Sequence, residues 1–160
     1  MVIQAPPLVF RTIDVLADGE LAAGHHRDAC VASFGSERAW EGAERYLRGR
    51  GRRIEEYPDG HVLAYLGERC VGQLELEVPY GKAEGYASLY YVAGAFRGQG
   101  YGRRLHEYAM RYFRSWEATV ARLHVSPSNF RAIEFYRSMG YRVSRVHVGG
   151  GMWEMSCQVG

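Results

Sequence analysis

Between a β-rich stretch, Tyr86 to Ala93, and a strongly periodic helical one stands the run Arg97-Gly98-Gln99-Gly100-Tyr101-Gly102. A strand entering a glycine-rich turn at a helix N-terminus presents unpaired backbone N–H groups and the positive end of a helix dipole. Together these hold phosphate without side chains. Glycine suits the turn because a Cβ would keep a pyrophosphate at a distance or forbid the backbone conformation. Two nucleotide readings are excluded by the neighbouring residues. The pattern Gly-x-Gly-x-x-Gly needs glycine where Arg103 stands, and a Gly-Lys-Ser/Thr phosphate loop needs a lysine, whereas the one lysine is Lys82.

A second group follows one helix and one strand later: Asn129-Phe130-Arg131-Ala132-Ile133-Glu134-Phe135-Tyr136, then Gly140-Tyr141. Asn129 is the only asparagine in the chain. The first run resembles Arg/Gln-x-x-Gly-x-Gly/Ala, the acyl-CoA signature of the GNAT superfamily of N-acyltransferases. A chain of this composition matches that pattern by chance about 0.6 times. The second group resembles the same family's Asn-x-x-Ala-x-x-x-Tyr and Gly-Phe/Tyr segment. Ala and Tyr at those offsets from an asparagine arise by chance in under about 1% of cases. The resemblance is close from Ser88 to Tyr141 and extends through the element order to the whole chain.

The resemblance implies a role for each matching residue. Tyr90, Tyr91, Val92 and Ala93 end the splayed fourth strand, whose backbone pairs with the pantetheine arm of acetyl-CoA. The Val92 N–H is the oxyanion donor to the thioester oxygen. Arg97, Gly98, Gln99, Gly100, Tyr101, Gly102 and Arg103 wrap the pyrophosphate. Asn129 contacts the pantetheine arm or fixes the loop after the fifth strand. Tyr136 is the general acid toward the departing CoA thiolate. A tyrosine near pKa ~10 facing a thiol near ~8.5 makes full proton transfer uphill by about 2 kcal/mol. Donating a hydrogen bond to the forming thiolate is nonetheless favourable. Ala132, Ile133 and Tyr136 also satisfy a buried helical stripe, the structural alternative for that tyrosine.

The chain departs from the family pattern twice. Many relatives carry proline where Gly94 stands, which affects stiffness more than chemistry. Relatives also often place a carboxylate or histidine on the fourth strand as general base. An amine of pKa ~10.4 is only about one-thousandth neutral near pH 7.4, a handicap of about 4 kcal/mol. Tyr86, Ser88 and Tyr90, which alternation puts on one face, offer neither group. Glu75 is the candidate substitute, with Glu77 and Glu84 as alternatives. Glu75 and Glu77 alternate with Leu74 and Leu76, and so also fit a solvated strand face. His106 is expected to be solvent-exposed, and His124 faces either the site or a helix.

These residues need elements to position them. Leu8 to Thr12 reads as a first strand. Asp18 is expected to cap a helix running to about Phe34, and Ser36 a second helix through Trp40, Ala43 and Leu47 that Gly49 and Gly51 end. His61 to Leu66 and Arg69 to Val78 form a hairpin about Gly67-Glu68, and Tyr86 to Ala93 is a fourth strand. Tyr101, Leu105, Tyr108, Ala109, Tyr112, Phe113 and Trp116 recur at helical spacing. Val120 to Val125 alternates as a strand. Ser128 is expected to cap a helix through Tyr136 with Gly140 as its left-handed stop. Tyr141 to Val148 and Met152 to Gln158 make a closing hairpin about Gly149 to Gly151. The order implies an α/β (α+β) layered domain with helices on both faces of a mixed sheet. By resemblance it is a GNAT-like, mostly antiparallel sheet of about seven strands, a single domain over 1–160.

Composition bounds the remaining possibilities. With 160 residues, 47% hydrophobic and 24% charged, the chain has the proportions of a globular protein and not of a disordered or fibrous one. It lacks an apolar run of bilayer-spanning length, and Met1 to Phe10 lacks a secretory pattern. Cys30, Cys70 and Cys157 are too dispersed for a disulfide framework or a metal knuckle, which suits a reducing cytoplasm. The histidines show no ligand spacing, so no metal is expected. Nineteen arginines stand against one lysine, yet the net charge is only +2. The Arg45 to Arg53 stretch is interleaved with glutamates, a mixed surface more than a nucleic-acid footprint. The reading is an acetyl-CoA-dependent N-acetyltransferase acting on a small-molecule or peptide amine by direct attack in a ternary complex. Neither nucleic acid nor membrane is an expected partner, and a homodimer is a family expectation. The alternatives are a non-catalytic acyl-CoA-binding regulatory module of the same fold and an arginine-rich nucleic-acid binder.

Overall fold

The computed structural model describes residues 6–160; Met1 to Ala5, part of the stretch read above for a secretory pattern, lie outside the described residues. Seven strands form one sheet in the order β1-β2-β3-β4-β5-β7-β6. β1 (Val9–Thr12), β2 (His61–Leu66), β3 (Arg69–Glu77) and β4 (Glu84–Val92) are an antiparallel meander. β5 (Val120–Val125) runs parallel to β4, while β6 (Arg142–Val146) and β7 (Trp153–Gln158) complete the sheet antiparallel. Parallel neighbours need a crossover connection, which α3 (Tyr101–Ser115) supplies. The expected mixed, mostly antiparallel sheet with helices on both faces is what forms. No helix among the described residues is long and apolar enough to cross a membrane.

The two faces bury different chemistry. Against α3 and α4 (Phe130–Ser138) the sheet packs Leu74, Leu76, Ala87 and Leu123 around Leu105, Phe113 and Ile133. Against α1 (Val15–Phe34) and α2 (Ala43–Glu56) it packs Leu63 with Ala22, Ala23 and Tyr46. Gln73 and Glu75 also lie on this second face, 0% and 1% exposed.

Three helices are bounded differently from the sequence expectation. Asp14, not Asp18, caps α1, accepting the N–H groups of Leu16 and Ala17 at 2.9 and 3.1 Å. Asp18 instead reaches back to accept the Asp14 N–H at 2.9 Å, a reciprocal cap that Arg11 also neutralises at 2.9 Å. Ser36 caps only a 3-10 turn, Glu37–Ala39, and α2 runs straight through Gly49 and Gly51. Each helical glycine costs about 1 kcal/mol relative to alanine. Tyr46, Arg50 and Ile54, four residues apart on one face, with Leu47 beside them, hold that helix by tertiary contact. Asn129, not Ser128, caps α4, accepting the Ala132 N–H at 3.3 Å, and Gly140 closes that helix with φ +99° as expected.

A bulge breaks the alternation of β4. Glu75 pairs with Leu89 and Leu76 with Ala87, so Ser88 is the extra residue. Tyr86 lies opposite Glu77 on the α1/α2 face, whereas Tyr90 lies opposite Leu74 and packs on Tyr136 of α4. The expectation that Tyr86, Ser88 and Tyr90 share one face is therefore corrected.

Candidate active site

β4 and β5 pair only from Glu84–Val120 to Ala87–Leu123. Beyond Ala87 the bulge bends β4 away, and the strands enclose a wedge that opens into a cleft of about 860 Å³. Ser88 to Val92, His124 and Val125 form the wedge itself, with Tyr136 on α4 and His26 and Cys30 on α1 in the walls. Ala93 donates its N–H to Val71 of β3 at 2.8 Å. Successive N–H groups of a strand point to opposite sides, so the Val92 N–H is directed away from β3 and into the wedge.

The glycine-rich turn closes one end. Gly98 and Gly100 take φ +73° and +86°, the left-handed region, so glycine is required there by backbone conformation. Gly100 is the N-cap of α3 and offers no capping side chain, leaving the first N–H groups of the helix available to an anion. Gly102 is required for a different reason. A Cβ there would stand 2.9 Å from the Phe135 ring, so its absence lets α3 approach α4.

The predicted binding residues differ in where their side chains lie, and those of Tyr91, Gln99 and Tyr101 are engaged elsewhere. Arg97 turns from the turn toward α1, its guanidinium donating to Asp28 at 3.1 Å and to the Val92 carbonyl at 2.9 Å. Tyr91 points its ring onto His25, 4.6 Å between centroids, and donates its hydroxyl to Asp28, so only its backbone faces the wedge. Burial and the Asp28 carboxylate push the Tyr91 phenol up to about 12. Arg103 lines the cleft, whereas Gln99 donates to the Ala95 carbonyl at 3.0 Å and Tyr101 packs edge-on against Phe96. Asn129 bridges helices: besides capping α4, its amide donates to Ser33 of α1 at 3.4 Å.

Tyr136 stands in the cleft wall between Tyr90 and Tyr141, with ring centroids 5.8 and 5.7 Å away. None of the hydrogen bonds among the described residues engages its hydroxyl. Burial raises its pKa, so the hydroxyl is a neutral donor without a protein acceptor. Tyr90 and Tyr141 are instead paired through their hydroxyls at 3.3 Å.

The carboxylates singled out as bases are all engaged. Glu75 is not on a solvated face but lies beneath α2, bonded by Arg50 at 2.7 Å, by Gln73 at 3.0 Å, by Tyr46 and, at 3.4 Å, by Ser88. Glu77 is paired with Arg53, and Glu84 takes a forked contact from Arg122 at 3.0 Å. His106, expected to be exposed, is half-buried beside the Tyr141 ring at 5.8 Å because α3 rolls that side toward α4. His124 does face the cleft. The sequence reading did not single out His26 and Cys30, whose i,i+4 spacing on α1 puts both on the cleft side, Sγ to Nδ1 3.8 Å. Burial lowers the His26 pKa and raises that of the Cys30 thiol, so both are neutral near pH 7.

Comparison with known proteins agrees with this fold. The profile of the Acetyltransferase (GNAT) family matches residues 26–141. An uncharacterized N-acetyltransferase of Archaeoglobus fulgidus is 29% identical over 117 residues, 65% of this chain and 80% of that protein. Among solved structures, the PaiA N-acetyltransferase of Thermoplasma acidophilum in complex with coenzyme A superposes with a TM-score of 0.75 at 17% identity. That match covers 95% of this chain and 99% of the other. The spermidine N-acetyltransferase of Vibrio cholerae, in complex with CoA and spermine, gives 0.72 at 18% identity over 94% and 95% of the two chains.

Proposed function

The chain belongs to the Acetyltransferase (GNAT) family, and from that premise we propose that it moves an acetyl group from acetyl-CoA to a primary amine by direct attack in a ternary complex. The observation that carries this reading is the β4/β5 wedge, with an inward backbone N–H, a phosphate-sized turn at one end and an unpartnered tyrosine hydroxyl in its wall. The residues fit a CoA thioester. The α3 N-terminus behind Gly98 and Gly100, together with Arg103, would hold the pyrophosphate, and the β4 edge would pair with the pantetheine amides. Acetyl-CoA supplies the activated acyl carbonyl.

This chain's own groups then do three things. The Val92 N–H hydrogen-bonds the carbonyl oxygen as negative charge develops on it. The Tyr136 hydroxyl donates to the sulfur as the C–S bond breaks, and stays protonated beforehand because burial disfavours the phenolate. The wedge holds amine and carbonyl in register, which replaces a bimolecular encounter with an oriented one. An acyl-enzyme route is disfavoured because Cys30, the cysteine in the cleft, is kept as the neutral thiol by burial. The acceptor is an amine on a small molecule or a peptide. The test is calorimetric titration with acetyl-CoA followed by thiol release across amines of pKa ~8 to ~10.5. Binding with turnover supports the enzyme, binding without turnover supports a regulatory acyl-CoA module, and absence of binding overturns both.

A further inference from the structure

Resting on the reading above, we infer that His124 is the general base that takes the proton of the incoming ammonium group, with Glu154 of β7 positioning it. β5 directs Ala121, Leu123 and Val125 into the core, so His124 projects from the opposite, open face at the edge of the cleft. There it is the imidazole next to the wedge on the strand that faces β4. Its Nδ1 lies 3.0 Å from the Tyr86 hydroxyl and its Nε2 3.9 Å from Glu154 Oε2. The other charged or titratable groups around it are His147 of the closing loop, with ring centroids 6.2 Å away, and Arg122 of its own strand, which pairs with Glu154 at 3.0 Å.

The step balances without another reactant. With Nδ1–H donated to the Tyr86 oxygen, the Nε2 lone pair accepts one proton from R–NH3+, leaving R–NH2 and an imidazolium. The Glu154 carboxylate then lies 3.9 Å from the new charge. Attack forms the N–C bond, and collapse breaks C–S. The thiolate leaves against the Tyr136 hydroxyl and is finally protonated by the proton that the attacking nitrogen sheds. The imidazolium releases its proton to solvent, which its exposure permits. Each alternative is less suited. Glu75, Glu77 and Glu84 are held by arginines. His26 is wedged between Trp40 and Tyr46, 5.6 and 4.5 Å away, where burial opposes the imidazolium.

The experiment compares the full chain with His124→Gln, His26→Gln and Glu154→Gln. The acceptors are Nα-acetyl-lysine, whose amine lies near pKa ~10.4, and an alanyl peptide, near ~8. For His124→Gln the expected result is a kcat/KM for Nα-acetyl-lysine about 100-fold lower, within the range of general-base catalysis. The loss on the alanyl peptide should be several-fold smaller, and the acid limb of the pH profile should disappear. The His124 ring titration, followed by NMR in the absence of acetyl-CoA, should match the wild-type acid limb. Glu154→Gln should lower kcat for Nα-acetyl-lysine several-fold while leaving the KM for acetyl-CoA within about twofold of the wild type, the split expected of a residue that positions the base. Loss of the acid limb in His26→Gln but not in His124→Gln overturns the assignment, as does equal loss on both amines. Acetyl-CoA binding and turnover by the wild-type chain judge the transferase reading separately; a wild-type chain that binds but never turns over overturns this assignment as well.

Discussion

Replacing Tyr136 by phenylalanine removes one oxygen from the cleft wall and little else. That hydroxyl has no hydrogen-bond partner among the described residues, while the ring is packed against Tyr90 and Tyr141. Folding stability should therefore change by less than about 0.5 kcal/mol, since no protein hydrogen bond is broken. A hydrogen bond to a developing thiolate is charge-assisted and worth about 1.5–3 kcal/mol. Its loss predicts a drop in the acyl-transfer rate of roughly 10- to 150-fold. Single-turnover thiol release isolates that step from product release. Calorimetry should give a dissociation constant for acetyl-CoA within about twofold of the wild type, and denaturant midpoints should coincide. An unchanged single-turnover rate would refute the acid role. A parallel fall in rate and acetyl-CoA affinity would show the hydroxyl to be a binding group instead. The wild-type profile should also lack an alkaline limb from this residue, because burial moves its ionisation upward.

Other features make independent predictions. Glu75→Ala leaves Arg50 as an uncompensated, largely buried cation and should cost about 3–5 kcal/mol in urea unfolding; replacing both by methionine should restore most of it. Gly100→Ala forces a side chain into φ +86° at the α3 cap, and should weaken acetyl-CoA binding in calorimetry while costing about 1–2 kcal/mol of stability. Burial lowers the pKa values of His25, His26 and His61, so the unfolded chain binds more protons below about pH 6.5. Their contribution is present above that pH and is lost as pH falls through the depressed folded values. Tm should decline on acidification, and less steeply in His25→Asn. Asp28→Asn releases Arg97 toward the glycine turn and should tighten acetyl-CoA binding several-fold, with less effect at high salt.

The pieces legible in the sequence were those whose local chemistry matches their tertiary role. Gly98 and Gly100 sit where positive φ is needed, Gly140 ends α4 at positive φ, and the order of strands and helices fits the sheet. What stayed hidden depends on neighbours that spacing does not reveal. Glu75 and Glu77 alternate like a solvated face, but α2 lies over them and brings Arg50 and Arg53. That helix persists past Gly49 and Gly51 through contacts that propensity cannot register. One extra residue at Ser88 changes which side chains share a face, and nothing in Ala87-Ser88-Leu89 marks it. His124 alternates with core residues whichever side it faces, so its exposure on the open face became visible only in the folded chain.

The single-residue offset at Ser88 gives β4 two separately adjustable halves. Upstream, Tyr86 belongs to the open face where His124 and Glu154 lie; downstream, Tyr90 and the Val92 amide belong to the wedge and α4. Under the proposed chemistry, substitutions before the offset should change acceptor preference while sparing the thioester's contacts, and those after it should change acyl handling while sparing the His124 side of the cleft. A lineage or an engineer changing substrates therefore has independent dials on one strand. Deleting Ser88 would keep Leu89, Tyr90 and Val92 opposite their present β3 partners and would instead remove the bend that parts β4 from β5, closing the wedge between the two halves.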